Sequence, residues 1–600
     1  MSLPFSFSER SFHRGPGIHG VAPTQTVEFT LSAVLLARRE ESVRRLAEHC
    51  PWWRPPQRGS SGQHDLGEVI ADWVRGLLEK GGAKVSPVSV MPQAEGRWAI
   101  TMGCHDPRVN LAALDLGLRL LAAPGEPDPH QVRRALESFD AQAKALQPDD
   151  VAQAMADHCR EAGIPVHAFL KGHRLWLYGA GAQAQLAART DTIEDSYFGH
   201  RASLNKVTSK MFMGTQGAPV LPSRLVETEA ELAVAISSVG LPCVIKPLDA
   251  LRSRGVTAPV RDRAAAAKAL ARAHAASRGE KKVLVEPYAP GDAYRLSLVR
   301  GSLWRCFRRH RPIVVGDGKS TVRELLRAWN IARPALSIAG RVTGGAPEDE
   351  AFTDMLASQG LTPDAVPESG RTVVLRGVPT FETGMTLTDV TDKVHPQVRR
   401  LAEAVCRAMG LALCGVDYVT EDIGRPPHDG GGWFLEANAS PGMVALREFG
   451  VPFAEIADHF LGPQFRSAPV DVIVTPAERQ PALRSSSRRG PADGWADEQG
   501  VWVGDLPLGG AMPSWQAFET LAFSRLVERI VLVMSPESLQ AHGLPPGGAR
   551  RIILLGDFPL SAEWTDVLRT NSRELLAMPD HADLAAVLAG DNFTATKGRP

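Results

Sequence analysis

At 600 residues the chain is too long for one compact core; at ~150 residues per domain, about three or four are expected. Lys+Arg and Asp+Glu both number 67, and this zero balance gives none of the basic excess by which a nucleic-acid binder announces itself. The 44% hydrophobic and 22% charged fractions are those of an ordinary globular chain, and the apolar run Leu31–Ala37 is too short to span a bilayer. Seven cysteines, odd in number and without a CxxC pair, read as reduced, packed thiols. The opening stretch MSLPFSFSERSFHRGPG has no charged n-region followed by an apolar h-region, so a cytoplasmic location is expected.

Residues 1–165 read as a mixed α/β region. Val27–Leu36 is expected to be a strand, and Trp98–Met102 another. Asp65–Lys80 has helical spacing, with Leu66, Val69, Ile70, Trp73, Val74, Leu77 and Leu78 on one broad face. Pro107–Leu121 and Asp149–Gly163 read as helices, and Pro165–Leu170 as a strand. Beyond Phe465, Asp471–Thr475, Ile530–Met534 and Arg551–Leu555 read as buried strands. Arg484–Gly494, rich in Ser, Arg, Gly and Pro, reads as a mobile loop.

Between these flanks lie the chemistry-bearing motifs. In Leu241-Pro-Cys-Val-Ile-Lys-Pro247 an apolar strand ends on Lys246, which can reach phosphates as a point charge; alone, it is more simply a snorkelling strand-end lysine. Asp249–Val256 is a small-residue loop between strands. Ser253, Arg254 and Gly255 there could offer backbone N–H groups and positive charge to phosphates. An apolar strand ends at Glu286, whose carboxylate could bind a ribose hydroxyl, while the backbone through Tyr288 could meet an adenine edge; Pro290-Gly291 then turns the chain into a strand carrying Arg295. An ordinary β-hairpin explains that segment equally well. Trp304–Arg311 is strongly basic, either a solvated edge strand or a cation cluster toward phosphate or carboxylate. Gly316-Asp-Gly-Lys-Ser-Thr321 lacks the first glycine of a P-loop, Ile313 standing in its place, and reads as a turn before a capped helix.

The most specific pattern is Gly415-Val-Asp-Tyr-Val419 followed, after a turn at Gly430–Gly432, by Trp433-Phe-Leu-Glu-Ala-Asn-Ala-Ser-Pro-Gly442. Glu436 and Asn438 lie two apart on one strand and share its face, with Asp417 on the neighbouring strand. Two carboxylates and an amide oxygen make a hard donor set of the kind Mg²⁺ prefers. The turn Ser440-Pro441-Gly442 could present N–H groups to an acyl phosphate or an oxyanion.

In this order the pieces resemble the ATP-grasp half of cyanophycin synthetase. Tyr178-Gly179, Thr190-Asp191, Asn205-Lys206 and Ser209-Lys210 resemble that family's entry into the domain. Val244–Asp249, Val285-Glu286, Pro290–Leu296, Arg308-Arg309, Val314–Gly318, Thr383-Gly384, Thr388–Pro396 and Glu436–Gly442 continue the match over about half the chain. The resemblance implies an α/β (α+β) protein: an N-terminal domain over 1–165, an ATP-grasp domain over 166–465 with its lid at about 205–290, and a small C-terminal α/β domain over 466–600 resembling a degenerate Mur ligase. It implies an ADP-forming carboxylate–amine ligase with ATP and Mg²⁺. Lys210 and Lys246 would hold ATP phosphates, Glu286 and its neighbours adenine and ribose, and Asp417, Glu436 and Asn438 the metal. Arg309 and Ser440–Gly442 would border the acyl phosphate. Amino acids or peptides are the expected substrates and a homo-oligomer the expected assembly, with no nucleic-acid or membrane partner. The chain departs from the family in a glycine-poor phosphate loop. Its C-terminal region also has no P-loop, so a second ligation is not expected. The alternatives are a nucleotide-binding pseudoenzyme or scaffold subunit and an ATP-grasp enzyme for a non-amino-acid carboxylate.

Overall fold

The computed structural model describes residues 4–578 except 21–22, 61, 82–87, 105, 124, 126–127, 147, 169–174, 251–253, 280, 334–335, 339–340, 344, 430 and 488. The chain divides into two compact units. One is Met1–Ala188 with Leu461–Pro600, the other Arg189–Phe460.

The first unit begins with a four-stranded antiparallel sheet in the spatial order Phe5–His13, Thr24–Leu31, Arg97–Gly103, Val88–Ala94. The helix Leu66–Lys80 starts where the Asp65 carboxylate accepts from the Gly67 and Glu68 amides, and all seven apolar residues of its predicted face are buried. It packs in one core with the helix Pro107–Leu121 and the sheet. Val27–Leu36 is not one strand. The strand stops at Leu31, and the Ser32 hydroxyl caps a short helix, Ala33–Ala37. Serine there offers the backbone a local acceptor that an apolar-run argument ignores. Of the expected strand at 165–170, Val166–Ala168 is present, and the remainder runs into residues outside the description.

The same unit contains a seven-stranded sheet in the order Leu506–Gly509, Gly500–Val503, Asp493–Asp497, Arg529–Met534, Val470–Val474, Ala549–Leu555, Ser572–Met578. The last five run parallel, and the apolar stretches read as buried strands are its centre. Arg484–Gly494 is only partly loop. Gln480–Ser486 is helical, and the Arg484 guanidinium pairs with Asp497 at 2.8 Å while lying 4.3 Å from the Trp502 ring centroid. Ordinary turn composition conceals such long-range anchoring.

Asp471, fully buried on the central strand, is met by Arg529 at 2.9 Å, Arg550 at 2.5 Å and Arg551 at 3.2 Å. Burial alone would raise its carboxyl; the guanidinium groups of Arg550 and Arg551 outweigh that and hold it below the ordinary aspartate value.

The second unit is built on two antiparallel sheets and the helices against them. Its elements are α1 (Lys206–Thr215), β1 (Arg224–Val226), α2 (Glu229–Val239), β2 (Cys243–Pro247), β3 (Thr257–Val260), α3 (Arg263–Ala276) and β4 (Val283–Pro287). There follow β5 (Asp292–Val299), β6 (Ser302–His310), β7 (Thr386–Asp389), α4 (Pro396–Met409), β8 (Leu413–Thr420) and β9 (Trp433–Asn438). One sheet has the order β3-β2-β4-β1 and shares a core with α2 and α3. The other has the order β7-β6-β5-β8-β9, and α4 packs its buried Val398, Ala402, Val405 and Cys406 into the core beneath it. The Gly316–Thr321 segment is a turn before a helix, as read. Thr321 and Glu324 form a capping box at the start of Val322–Ala332. All seven cysteines are buried and in the thiol form. Among the described residues, no helix is long and apolar enough to cross a membrane.

Replacing Asp471 by Asn leaves three guanidinium groups around a neutral amide, and is expected to lower the unfolding free energy by about 3–5 kcal/mol at pH 7. A carboxyl depressed in the folded state stabilises above its unfolded pKa and loses that contribution as pH falls through the folded value. Urea titrations of the two proteins are therefore expected to differ most at neutral pH and to converge in acid below the ordinary aspartate range. A gap that persists there would show that the carboxylate charge is not its source.

Candidate active site

Two groups of charged side chains gather in the second unit. The first surrounds Glu286. Cross-strand register sets Lys246 of β2 opposite Leu284 and Val244 opposite Glu286 of β4, so lysine and glutamate share a face. Their charged atoms meet at 2.8 Å. Lys210, in the middle of α1, reaches the other oxygen of Glu286 and also donates to the Leu221 carbonyl at 3.0 Å. Glu286 is 1% exposed. Burial would raise its carboxyl, but Lys246 and Lys210 together hold it below the ordinary value. Burial lowers the Lys210 ammonium, with Glu286 opposing the shift.

The residues expected to contact nucleotide are placed as follows. Glu286 faces two lysines, and its carboxylate is tied to both of their side chains. The Tyr288 amide donates to the Pro242 carbonyl at 3.0 Å, and Pro287 has no N–H; these two backbone positions offer an adenine edge no free donor. The Tyr288 hydroxyl accepts from Arg311 at 3.3 Å. In the small-residue loop, Gly255 has φ +73°, a conformation suited to glycine, and Arg254 is exposed. Arg252 and Ser253 lie outside the described residues.

The second group crosses the five-stranded sheet. Arg295 of β5 is opposite Asp417 of β8, which is opposite Glu436 of β9, so three charged side chains form one row on one face. Asn438 lies on the same face, opposite Gly415. Arg295 donates to Asp417 at 2.9 Å, and Arg309 of β6 meets the same oxygen at 3.2 Å. Burial would raise the Asp417 carboxyl, but Arg309 and Arg295 outweigh it and hold it low. The Asn438 amide N–H donates to Glu436 at 3.2 Å, leaving its carbonyl oxygen available to a cation. Arg295, expected with the nucleotide, therefore stands in the carboxylate row instead.

Gly415 makes this row possible. A Cβ built there would lie 2.1 Å from the Arg295 guanidinium, so the arginine occupies the volume of the missing side chain. Beyond β9 the chain turns through Ser440, whose φ of +50° is strained for serine. Thr190 holds that turn, with its hydroxyl 3.0 Å from both the Ser440 hydroxyl and the Pro441 carbonyl. At Gly442 an added Cβ would meet open space. Gly430, assigned to the turn before β9, lies outside the described residues.

The basic segment Trp304–Arg311 is largely strand β6, which lies inside the sheet between β7 and β5. Most of its charge is neutralised locally: Arg305 pairs with Glu455 and Asp389, and Arg308 with Asp292. Arg309 is the residue of this segment that pairs with Asp417, and burial pushes its guanidinium below its usual value.

Lys206 connects the two groups and was not singled out as a site residue from the sequence. Asn205 caps α1 and sets Lys206 at its first position. The ammonium donates to the Ala250 carbonyl at 2.9 Å and lies 3.8 Å from Glu436. Burial lowers it and Glu436 opposes the shift. The available signal was the spacing: positions 206 and 210 are four apart, one above the other on a helix.

Among the described residues, no three His, Cys, Asp or Glu side chains form a metal cluster. A cation on this face would draw on Asp417, Glu436 and the Asn438 oxygen, an all-oxygen set that suits a hard divalent ion.

These lysines, arginines and carboxylates stand on the two larger antiparallel sheets of a mixed α/β unit. No family model matches the chain. It is 32% identical to the cyanophycin synthetase of Geminocystis herdmanii over 266 residues, 44% of this chain and 30% of that protein. Against the cyanophycin synthetase of a Nostoc species the figures are 31% over 292 residues, 48% and 32%. The glutathione biosynthesis bifunctional protein GshAB of Mannheimia succiniciproducens is 34% identical over 261 residues, covering 42% of this chain and 34% of that one. The matched part, about 45% of this chain, is cyanophycin synthetase-like, and it spans about a third of each relative's length. Among solved structures, a bifunctional glutathione synthetase from Pasteurella multocida aligns with TM-score 0.36 and 18% identity over 70% of this chain and 78% of that one. A D-alanine–D-alanine ligase from Bacillus anthracis aligns with TM-score 0.28 and 14% identity over 45% and 70%. Both likenesses are too weak to position any residue.

Gly415→Ala is expected to drive the Arg295 guanidinium off Asp417 and lower stability by about 1–3 kcal/mol, the range for an overpacked interior. Urea denaturation followed by circular dichroism checks this; a neutral result would mean that Arg295 has another place to lie.

Proposed function

We propose that this chain is an ATP-dependent carboxylate–amine ligase, forming an amide bond through an acyl phosphate and releasing ADP. The row Arg295–Asp417–Glu436, with Arg309 and Asn438 beside it, is the observation that carries the reading. It sets two guanidinium groups, suited to a carboxylate, beside oxygen ligands suited to a divalent cation. Similarity to cyanophycin synthetases and to the GshAB protein supports the same chemistry.

In this reading Lys210 and Lys246 hold ATP phosphates, and Lys206 reaches phosphate between them and Glu436. Glu286 holds both lysines in place before nucleotide arrives. Asp417, Glu436 and Asn438 hold Mg²⁺, which when bound neutralises phosphate charge. Arg309 and Arg295 orient the donor carboxylate. One of its oxygens attacks the γ-phosphorus, the bond to the bridging oxygen breaks, and ADP departs with that electron pair. The amine then attacks the acyl carbon, phosphate leaves and the nitrogen loses a proton. Arg309 and the N–H groups of the Ser440–Gly442 turn stabilise the charge on the acyl phosphate and on the tetrahedral oxygen. Amino acids or short peptides are the substrate class that the relatives suggest. We assign the protein to the cytoplasm and expect it to act as a homo-oligomer, which light scattering at working concentration tests.

The direct test is ADP release with Mg-ATP, a carboxylic acid and an amine, with the condensed product read by mass spectrometry. Release is expected to require both acid and amine. Glu436→Gln is expected to reduce it about a hundredfold while the fold is retained. Nucleotide binding without turnover on any pair would instead mark the protein as a nucleotide-binding scaffold.

A further inference from the structure

Beside Arg295 and Arg309 the sheet face opens into a cavity of about 70 Å³. That volume exceeds the roughly 10–15 Å³ needed for a single water and accommodates several methylene-sized groups. Its character follows from the strand register. Along the row that holds Glu436, Asp417 and Arg295, the next residue across is Phe307 of β6. Arg309 is likewise opposite Leu387 of β7. Phe307 is in turn opposite Asp389, which pairs with Arg305 outside the cavity's lining; within the lining, charge is confined to the two arginines and apolar side chains make up most of the rest. Met443 and Leu446, from the short helix after Gly442, and Phe381 and Met385 close the space; Phe307, Met385, Met443 and Leu446 are each buried.

The arginines are the charged residues of this lining, and Ser297 is its remaining polar side chain. No acidic side chain lines it. A charged ammonium or guanidinium entering here would lose its water with no partner to replace it, a penalty far above that of any neutral group. Asp417 is not part of this lining, and both arginines engage the same one of its oxygens. We infer that the acyl donor is a carboxylic acid whose substituent is uncharged and apolar, a branched or linear aliphatic acid or an acyl group ending in such a residue. Its carboxylate sits at Arg295 and Arg309, and its apolar group fills the space over Phe307 and Leu387. This deepens the ligase reading and rests on it for the chemistry, though not for the binding.

Hydroxylamine can stand in for the unidentified amine. The donor carboxylate takes the γ-phosphoryl group from ATP, ADP leaves, and the hydroxylamine nitrogen displaces phosphate and loses a proton to give a hydroxamate. The full chain with Mg-ATP and hydroxylamine is assayed with 4-methylpentanoate, hexanoate, acetate, aspartate, glutamate and arginine. Binding of each acid in the presence of a non-hydrolysable ATP analogue is measured by calorimetry. The apolar acids are expected to exceed aspartate, glutamate and arginine by at least about tenfold in kcat/KM, a discrimination typical of a hydrophobic pocket. Phe381→Ala is expected to raise the KM for 4-methylpentanoate about tenfold with a smaller change in kcat. Preference for aspartate, glutamate or arginine would overturn the inference and leave the ligase standing. Saturable binding of the apolar acids without hydroxamate would uphold the pocket and overturn the ligase. Absence of binding by any apolar acid would overturn the pocket assignment outright.

Discussion

One carboxylate held between two guanidinium groups organises the second unit. Asp417 is half-buried, and Arg295 and Arg309 offset the desolvation that an unpaired carboxylate would suffer there. The pairing ties three neighbouring strands of the sheet together, Arg309 reaching Asp417 diagonally from two residues along β6. It fixes glycine at 415 and orients the arginines toward the apolar end of the same face. Glu436 and Asn438 are then left as the neighbouring oxygen donors, so the polarity of the whole face follows from where that carboxylate stands.

A second carboxylate, the buried Glu286, does for α1 and the four-stranded sheet what Asp417 does for its own strands. Two ammonium groups on different elements converge on it. Pairs of this kind are expensive to desolvate and add little net stability beside a hydrophobic alternative, so their retention points to pre-organisation of charge. In the ligase reading, the lysines are already gathered and oriented before a polyanion enters. The first unit has its own buried carboxylate, Asp471, satisfied by arginines from two neighbouring strands. There the pairing ends within a parallel sheet and borders no lysine cluster.

How much of this could be read from sequence depended on the range of the interaction. The strand-turn-strand of Gly415–Gly442 was legible because period-two alternation puts Glu436 and Asn438 on one face regardless of what surrounds them. The amphipathic helix Leu66–Lys80 was legible for the same reason at period 3.6. The strand assigned to Val27–Leu36 failed at Ser32, where a single capping hydroxyl outweighed an apolar run. The bond from the Tyr288 amide to Pro242, 46 positions earlier, is one that no local pattern reveals. Lys206 belonged to a matched motif but carried no site role in the sequence, because lysine at a helix start is ordinary until the Glu436 strand is folded against it. The trio around Asp471 is likewise invisible until strands almost 60 and 80 residues away are in register. The seven-stranded sheet was legible in its three apolar central strands and not in its edge hairpin.

The arginine that fills the space of an absent side chain has an evolutionary consequence. Positions 295 and 415 are 120 residues apart in the chain but share one volume. Neither can drift alone: a side chain at 415 requires a smaller residue at 295, and a smaller residue at 295 leaves Asp417 short of a cation and opens a void over the glycine. Substitutions at the two sites should therefore be strongly epistatic. A lineage that placed its cation on 415 instead could reach that state only by changing both positions, either together or through a poorly active intermediate.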